Sequence, residues 1–136
     1  ALVPKLVERT GWDHVRAPAV KPEDLVLEIE GFRLLATDYF ARMHRLGPTH
    51  VAITDGARGA YLSVDGTLHF QPVFDVEVVG TTGAGDSFAS TLAGALVRGD
   101  APQQALKLAT RNAASVVSHA DAHSGLLPAE ALRALV

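Results

Sequence analysis

The chain has 136 residues, of which 48% are hydrophobic and 20% are charged, a balance that supports a buried core and excludes a disordered tail. Its 12 basic and 15 acidic side chains give a formal net charge of −3, so no basic face is indicated and nucleic acid is not an expected partner. The chain has no cysteine, which excludes a disulfide framework, a thiolate zinc site and a cysteine nucleophile.

The first thirty residues show no signal-peptide pattern, because Lys5, Glu8 and Arg9 interrupt any apolar core. No apolar run in the chain reaches the roughly 18 residues that a membrane span requires. We therefore expect a cytoplasmic protein without a membrane partner. The element predicted in this region is a short helix over Glu23–Glu30, ended by Gly31.

The middle of the chain alternates between helical and strand patterns. Apolar residues at positions 35, 39, 43 and 46 predict a helix over Leu34–Leu46. Another strand is predicted over Val73–Val79, where five of the seven residues are valine or phenylalanine. Between these two elements we expect a strand, a glycine turn and a hairpin around Asp65-Gly66: Val51–Thr54, Asp55–Gly59, Ala60–Val64 and Thr67–Phe70.

The last third of the chain is predicted to be mainly helical. Apolar residues recur every four positions from Phe88 to Leu96, with alanines beside them, so this helix is expected to be apolar on most sides and buried. Asp100-Ala101-Pro102 predicts the start of a second helix, since an aspartate cap and an early proline are typical of helix beginnings. A loop over 119–125 and a short helix over Pro128–Val136 follow.

The segment Thr81-Thr82-Gly83-Ala84-Gly85-Asp86 lies between the last predicted strand and the apolar helix. Three consecutive residues with little or no side chain let backbone N–H groups face a ligand, and a helix N-terminus adds donors and about half a positive charge. The segment can therefore form an anion hole for a phosphate. Asp86, in the first helical turn, can accept the proton of an attacking hydroxyl while the hole stabilises the transferring phosphoryl group.

A structural interpretation of the same residues also stays open on physical grounds, namely a helix-capping aspartate after a glycine-rich turn. The segment is neither a Walker A loop, since no Gly-Lys-Ser/Thr follows, nor a G-x-G-x-x-G fingerprint. The residues alone leave both interpretations standing.

The eight residues Thr81–Phe88 resemble the C-terminal signature of the ribokinase-like PfkB carbohydrate and nucleoside kinases, which usually reads Asp-Thr-x-Gly-Ala-Gly-Asp-x-Phe. The segment Val51–Ala60 also resembles the strand and turn with which this family contacts the nucleotide. The hairpin, the two long helices and a small-residue loop ending near Pro128 follow in the family's order. The resemblance covers roughly residues 34–136.

The resemblance implies an α/β fold, a three-layer α/β/α ribokinase-like sandwich of which this chain carries the C-terminal part. It implies ATP as phosphoryl donor, with Mg²⁺, and a hydroxyl of a sugar or nucleoside as acceptor. Asp86 would be the catalytic base, and Gly83, Ala84 and Gly85 would line the anion hole. The resemblance also implies a set of residues near the nucleotide: Thr54, Gly56, Gly59, Thr82 and Thr110.

Four positions depart from the family pattern. Gly80 lies where most members have an aspartate that helps to bind a monovalent cation, and Asp121 lies where the cation loop often has glycine. Both departures put monovalent-cation activation in doubt, unless Asp121 supplies the missing charge from the other side. The family's Asn-x-x-Glu, which organises magnesium, corresponds to Lys21 and Asp24. Asp24 is a candidate metal ligand through water, with a solvated helix start as the alternative.

A complete member of the family is longer than this chain, and nothing here resembles its N-terminal substrate and lid region. We therefore expect one partial kinase domain over residues 1–136, either part of a longer protein or completed by another chain. Apolar surface left uncovered favours a homo-oligomer. Two functions stay open: an ATP-dependent sugar or nucleoside kinase, or its C-terminal portion, and a non-catalytic nucleotide-binding or interaction module.

Overall fold

The computed structural model describes residues 26–29 and 32–136. The internal contacts of the chain divide it into two compact units, of which unit 1 ends at Pro72 and unit 2 spans Val73–Val136. The expectation of one partial kinase domain over residues 1–136 stays a prediction. In the described part of the chain, no helix is long and apolar enough to cross a membrane.

The first described elements of unit 1 are two short antiparallel strands. β1 spans Val26–Ile29 and β2 spans Phe32–Leu35, with Val26 opposite Leu35 in the register. The helix predicted over Glu23–Glu30 is therefore wrong where the structure describes it, because the apolar residues of β1 find a backbone partner in β2. The same pairing delays the helix that follows by two residues relative to its prediction.

That helix, α1, spans Ala36–His44 and confirms the central part of the prediction. Asp38 lies in its first turn and Arg42 in its last turn, where each charge opposes the partial charge of the helix end. Gly47, with φ of 117°, and the following Pro48 then turn the chain toward the next strand.

A three-stranded antiparallel sheet completes unit 1. Its strands are β3 (His50–Thr54), β4 (Gly59–Val64) and β5 (Thr67–Pro72), paired in the order β3-β4-β5. The hairpin prediction is confirmed, since Asp65 and Gly66 connect β4 to β5 with φ of 48° and 83°. Such a pair of positive φ values is typical of the tightest hairpin turns.

The core of unit 1 is built from aromatic rings of α1 and the sheet. Tyr61 is fully buried, with its ring centroid 6.4 Å from that of Phe40 and 4.8 Å from that of Phe70. Burial of each such ring stabilises the fold by about 1.5–3 kcal/mol before entropy is subtracted. A hydrogen bond of 2.7 Å between His44 Nε2 and Ser63 Oγ also joins α1 to β4.

Unit 2 begins with the segment Val73–Val79, which the sequence predicts as a strand. Among the described residues this segment pairs with no strand, so the prediction is wrong. The Val79 N–H donates instead to the Val117 carbonyl at 2.8 Å, and the side chains of Val78 and Val79 are 62% and 56% exposed. Valine favours a strand only where a neighbouring strand offers its backbone and side-chain partners.

Three helices form the rest of unit 2. α2 spans Ala84–Val97, α3 spans Pro102–Val117 and α4 spans Ala129–Ala134, all close to their predicted bounds. Pro102 lies in the first turn of α3, where its fixed φ is suitable and its missing N–H removes no helical hydrogen bond.

Within unit 2, α2 packs against α3 with one face, which carries the buried residues Ser87, Phe88, Leu92 and Ala95. Val97 of the same helix is 88% exposed, so the prediction of a buried helix holds for that face and is wrong for Val97. Asn112 of α3 holds the packed face together, because its Nδ2 donates to Thr91 Oγ1 at 2.8 Å and its Oδ1 accepts from the Leu127 N–H at 3.1 Å. The apolar composition of a helix shows which side chains it can bury. The segments that pack against the helix decide which of those side chains are buried.

Candidate active site

The N-terminus of α2 carries the glycine-rich segment that the sequence singles out. Gly83 is the residue just before the helix, with φ of 84°, a left-handed conformation that favours glycine. A Cβ placed on Gly83 would also lie 2.6 Å from the Cβ of Ala122. Gly83 is therefore required by the fold, both for its backbone angle and for its contact with the loop after α3.

Gly85 is different, because nothing in the fold requires a glycine there. A Cβ on Gly85 would meet no atom within 4 Å, and its φ is not in the left-handed range. Glycine inside a helix costs roughly 0.5–1 kcal/mol relative to alanine. A ligand that approaches the backbone closely requires a residue without a side chain at that point. Gly85 meets this requirement, since it is exposed and the fold does not need a glycine there.

Two backbone donors in the first turn of α2 have no acceptor among the described residues. The Ala84 N–H donates to the Thr81 carbonyl at 3.3 Å, and the Ser87 N–H donates to the Gly83 carbonyl at 2.9 Å. Within the described residues, the N–H groups of Gly85 and Asp86 have no acceptor, and no side chain caps the helix. These donors and the helix dipole form an anion-binding position.

Asp86 lies in the first turn of α2 with an exposed side chain. Its carboxylate makes no hydrogen bond or ion pair with the described residues. The capping interpretation is not supported, because Gly83 occupies the cap position and no side chain bonds to the first-turn donors. An unpaired carboxylate next to unused N–H donors can receive a proton from a bound hydroxyl.

The loop after α3 lies against this segment. It contains Asp121, one of the two positions that put a monovalent-cation site in doubt. A Cβ on Gly80 would lie 3.3 Å from the His119 carbonyl oxygen, yet glycine brings no carboxylate to this point. Asp121 is engaged by its own loop: Oδ1 accepts from the N–H groups of His123 and Ser124, each at 2.8 Å, and Oδ2 accepts from Ser124 Oγ at 2.6 Å.

These hydrogen bonds lower the pKa of the Asp121 carboxyl to about 2. Asp121 is therefore ionised and its carboxylate stabilises its own loop, and its compensation for the carboxylate that Gly80 lacks stays a prediction. No cluster of three acidic, histidine or cysteine side chains that could hold a metal occurs in the described ranges. Asp24, the candidate magnesium ligand, and Lys21 lie outside the described residues.

Three of the residues assigned to the nucleotide by resemblance lie in unit 1. Thr54 ends β3 with an exposed side chain, and Gly56 begins the 3₁₀ turn Gly56–Arg58 with φ of 48° and open space around it. Gly59 has φ of 137°, and a Cβ there would collide with the Gln71 carbonyl of β5. The fold therefore requires a glycine at position 59, whereas Thr54 and Gly56 are accessible to a ligand.

The remaining two residues of that set lie in unit 2. Thr82 is exposed just before Gly83. Thr110 is buried on α3, and its hydroxyl donates to the Leu106 carbonyl of the same helix at 2.9 Å. Its hydroxyl is thus engaged within α3, and its predicted nucleotide contact stays a prediction.

The sequence interpretation missed an ion pair inside the unit 1 turn. Arg58 donates from Nε to Asp55 Oδ2 at 2.9 Å and from Nη2 to Oδ1 at 2.7 Å. Asp55 is 7% exposed. Burial raises the pKa of its carboxyl to about 6, although Arg58 acts in the opposite direction. The sequence signal for this ion pair was the spacing of Asp55 and Arg58, an acidic and a basic residue three positions apart in a glycine-containing turn.

A cavity of about 210 Å³ lies elsewhere in unit 2, between α2, α3 and α4. Its lining includes Arg98, Asn112 and Arg133 but no residue of Gly83–Asp86. Arg133 is held by Asp100 through bonds of 3.0 and 2.6 Å. We assign the chemistry to the α2 N-terminus, because the cavity offers neither its unused N–H donors nor its carboxylate.

Comparison with known proteins identifies the protein family of this chain. Residues 34–130, most of the chain, match the pfkB family of carbohydrate kinases. The chain therefore belongs to this family, and the resemblance carried by Thr81–Phe88 is confirmed.

Several of the similar proteins are ribokinases. The ribokinase of Bacillus subtilis (strain 168) is 38% identical over 81 residues, which are 60% of this chain and 28% of that protein. The solved ribokinase of Thermotoga maritima matches with a TM-score of 0.65 at 31% identity, covering 74% of this chain and 34% of that one. Arabidopsis thaliana ribokinase complexed with ribose and ATP matches with a TM-score of 0.67 at 28% identity, covering 74% and 33%.

The fold is therefore the ribokinase-like α/β fold, as predicted, and this chain has part of it. The chain spans about a third of the length of the relatives it matches.

Proposed function

We propose that this chain carries the phosphoryl-transfer site of an ATP-dependent kinase that phosphorylates a hydroxyl of a sugar or nucleoside. The observation that carries the proposal is the N-terminus of α2, where two unused N–H donors lie beside the unpaired Asp86 carboxylate. Membership of the pfkB family of carbohydrate kinases supports the same chemistry.

The chemistry follows from these groups. The N–H groups of Gly85 and Asp86, together with the helix dipole, stabilise negative charge on the phosphoryl group as it leaves ATP. The Asp86 carboxylate accepts the proton of the acceptor hydroxyl, so that its oxygen can attack the terminal phosphorus. Magnesium bound to ATP would supply further neutralisation of the phosphate oxygens.

Different observations support the phosphoryl donor and the phosphoryl acceptor. ATP is supported by the anion-binding helix end and by the Arabidopsis ribokinase, whose structure contains ribose and ATP. Sugars are supported over nucleosides because ribokinases are the relatives at 31% and 38% identity. A homo-oligomeric state and a cytoplasmic location stay predictions.

The second candidate is a nucleotide-binding module without catalysis. The observation that favours it is Gly80, which brings no carboxylate to the point beside the His119 carbonyl oxygen. Calorimetry with ATP and Mg²⁺, followed by a phosphorylation screen over sugars and nucleosides, separates the two candidates. Binding together with turnover supports the kinase, and binding without turnover supports the module.

Asp86→Asn tests the assignment of the base. A general base contributes about 10²–10⁴-fold to a rate, so we expect turnover to fall by at least about 100-fold while ATP affinity changes little. Asp75→Asn, at an exposed position of the same unit, is the matched control and should keep wild-type turnover. Substantial residual turnover in Asp86→Asn would contradict the assignment.

A further inference from the structure

We propose that the cavity between α2, α3 and α4 binds a small organic monoanion, a carboxylate with an apolar body, and that Arg98 binds its charged group. The cavity lies within unit 2 and has a volume of about 210 Å³. It is separate from the N-terminus of α2, and its ligand does not depend on the proposed function.

The first observation is that α2 lines the cavity with a glycine that the fold does not require. Gly94 lies inside α2, and its φ is not in the left-handed range. Apart from the backbone of α2 itself, a Cβ at Gly94 would meet only Arg98 Nη2, at 4.0 Å. Because alanine is more favourable than glycine inside a helix, the fold alone gives no reason for a residue without a side chain here. A ligand that lies against the backbone of α2 does give one.

The second observation is the charge of the lining. Arg98 and Arg133 line the cavity, whereas among the described residues no acidic side chain does. Arg133 is bonded to Asp100, which lies outside the lining, through hydrogen bonds of 3.0 and 2.6 Å. The charge of Asp100 also acts on Arg98. One carboxylate beside two guanidinium groups leaves one positive charge, which a monoanion balances.

The third observation is that two donors of the lining are available to a ligand. The Arg98 side chain is exposed and makes no hydrogen bond within the part of the chain that the structure describes. Thr91 Oγ1 accepts from Asn112 Nδ2 at 2.8 Å, so the hydroxyl hydrogen of Thr91 remains for another acceptor. A carboxylate fits these donors, because a guanidinium binds its two oxygens through parallel N–H···O bonds.

The fourth observation is the apolar part of the lining. Leu108, Leu127 and Leu132 line the same cavity as the two arginines. An inorganic anion would make no use of these side chains, whereas a ring or a short alkyl chain attached to the carboxylate would contact them. The lining therefore favours an amphipathic carboxylate over phosphate or sulfate.

Benzoate is the probe, because it joins a carboxylate to an apolar ring, and benzamide is its neutral counterpart of similar shape. Titration of wild-type protein, followed by NMR of the backbone amides, should show saturable benzoate binding with a Kd of about 5 mM or lower. The largest shifts should fall in Gly94–Arg98 and at Leu127. Benzamide should bind at least about tenfold more weakly, because a charged acceptor strengthens the bond to a guanidinium. Equal binding of the two probes, or no saturable binding of benzoate, overturns the proposal.

A pair of charge variants locates the site. Arg98→Gln should weaken benzoate binding at least about tenfold and keep the wild-type melting temperature, because Arg98 is exposed. Lys107→Gln removes a charge from α3 outside the cavity lining, and this control should bind benzoate as wild type does. Wild-type affinity in Arg98→Gln overturns the proposal. Shifts confined to Gly85 and Asp86 also overturn it, because they would place the anion at the N-terminus of α2.

Gly94→Leu tests the glycine. The leucine side chain would occupy the cavity, so benzoate binding should be lost, while the melting temperature should be kept or raised because a helix-interior glycine is replaced. A folded Gly94→Leu variant that binds benzoate as wild type does overturns the proposal. Should Gly94→Leu fail to fold, the Arg98→Gln titration still decides, since that variant leaves the shape of the cavity unchanged. These measurements use neither ATP nor turnover, so their outcome is independent of the proposed function.

Discussion

At the scale of single residues, Gly83 and Gly85 show how one glycine-rich motif combines two physical requirements. Gly83 has a left-handed φ of 84° and contacts Ala122, whereas the space around Gly85 is open. The motif alone does not distinguish them, because both are glycines and only Ala84 separates them. The structure assigns Gly83 to the fold and leaves Gly85 for a ligand.

This distinction gives a matched pair of variants. Gly85→Ala should keep or raise stability, by up to about 1 kcal/mol, because alanine favours a helix. It should weaken ATP binding at least about tenfold, because the new methyl group occupies the phosphate approach. Gly83→Ala should lower stability by about 1–2 kcal/mol or more, from its backbone angle and the Ala122 contact. Thermal unfolding and calorimetry measure both.

The anion-hole assignment does not survive if Gly85→Ala binds ATP as tightly as wild type. A stable Gly83→Ala variant would contradict the structural role of Gly83 alone.

The charge of Asp55 gives a stability prediction. A folded-state pKa of about 6, against an ordinary 3.8, means that the folded protein retains a proton that the unfolded chain releases. This contribution is fully present below the ordinary pKa and is lost as pH rises through about 6. The buried Asp55–Arg58 pair is therefore not a source of stability at neutral pH.

We expect the unfolding free energy of wild type, relative to Asp55→Asn, to fall by roughly 2–3 kcal/mol at most between pH 4 and pH 7. Urea unfolding of both proteins across this range measures the difference. A difference that is constant with pH would show that Asp55 ionises at its ordinary value.

At the scale of elements, local signals were reliable where a few neighbouring residues decide the backbone. The Asp65-Gly66 hairpin, the start of α3 at Pro102 and the position of α2 after Gly83 were all predicted. The predictions failed for Val26–Ile29 and Val73–Val79, where a strand depends on a partner elsewhere in the chain. Strand propensity without a known partner is therefore the weakest of these signals.

The loop after α3 gives a prediction about cations. Because Gly80 has no carboxylate and Asp121 is bonded within its own loop, replacing K⁺ by a bulky organic cation should change ATP affinity less than about twofold. Asp121→Ala should lower the melting temperature, since the loop loses three hydrogen bonds, without creating a cation dependence. Calorimetry in matched potassium and organic-cation buffers is the measurement, and a strong potassium effect contradicts our account.

At the scale of the whole molecule, a short local motif predicted the family and led to the proposal of Asp86 as the base. Thr81–Phe88 and the turn Val51–Ala60 were sufficient to predict a pfkB carbohydrate kinase, and the family match over residues 34–130 confirms it. The acceptor was not predicted, because no residue singled out in this chain chooses between sugars and nucleosides. The ribokinase relatives favour a sugar over a nucleoside within the proposed function.

The sequence by itself determined the features that depend on neighbouring residues: the glycine-rich helix start, the hairpin turn and the proline at the beginning of α3. Tertiary structure alone decided which face of α2 is buried, which glycine the fold requires, and that Asp55 and Arg58 form a buried pair. The physical reason is the separation in sequence between the residues that decide each feature. Backbone angles and helix ends follow from residues within one turn of each other, whereas burial, strand pairing and desolvation depend on chain that is distant in sequence.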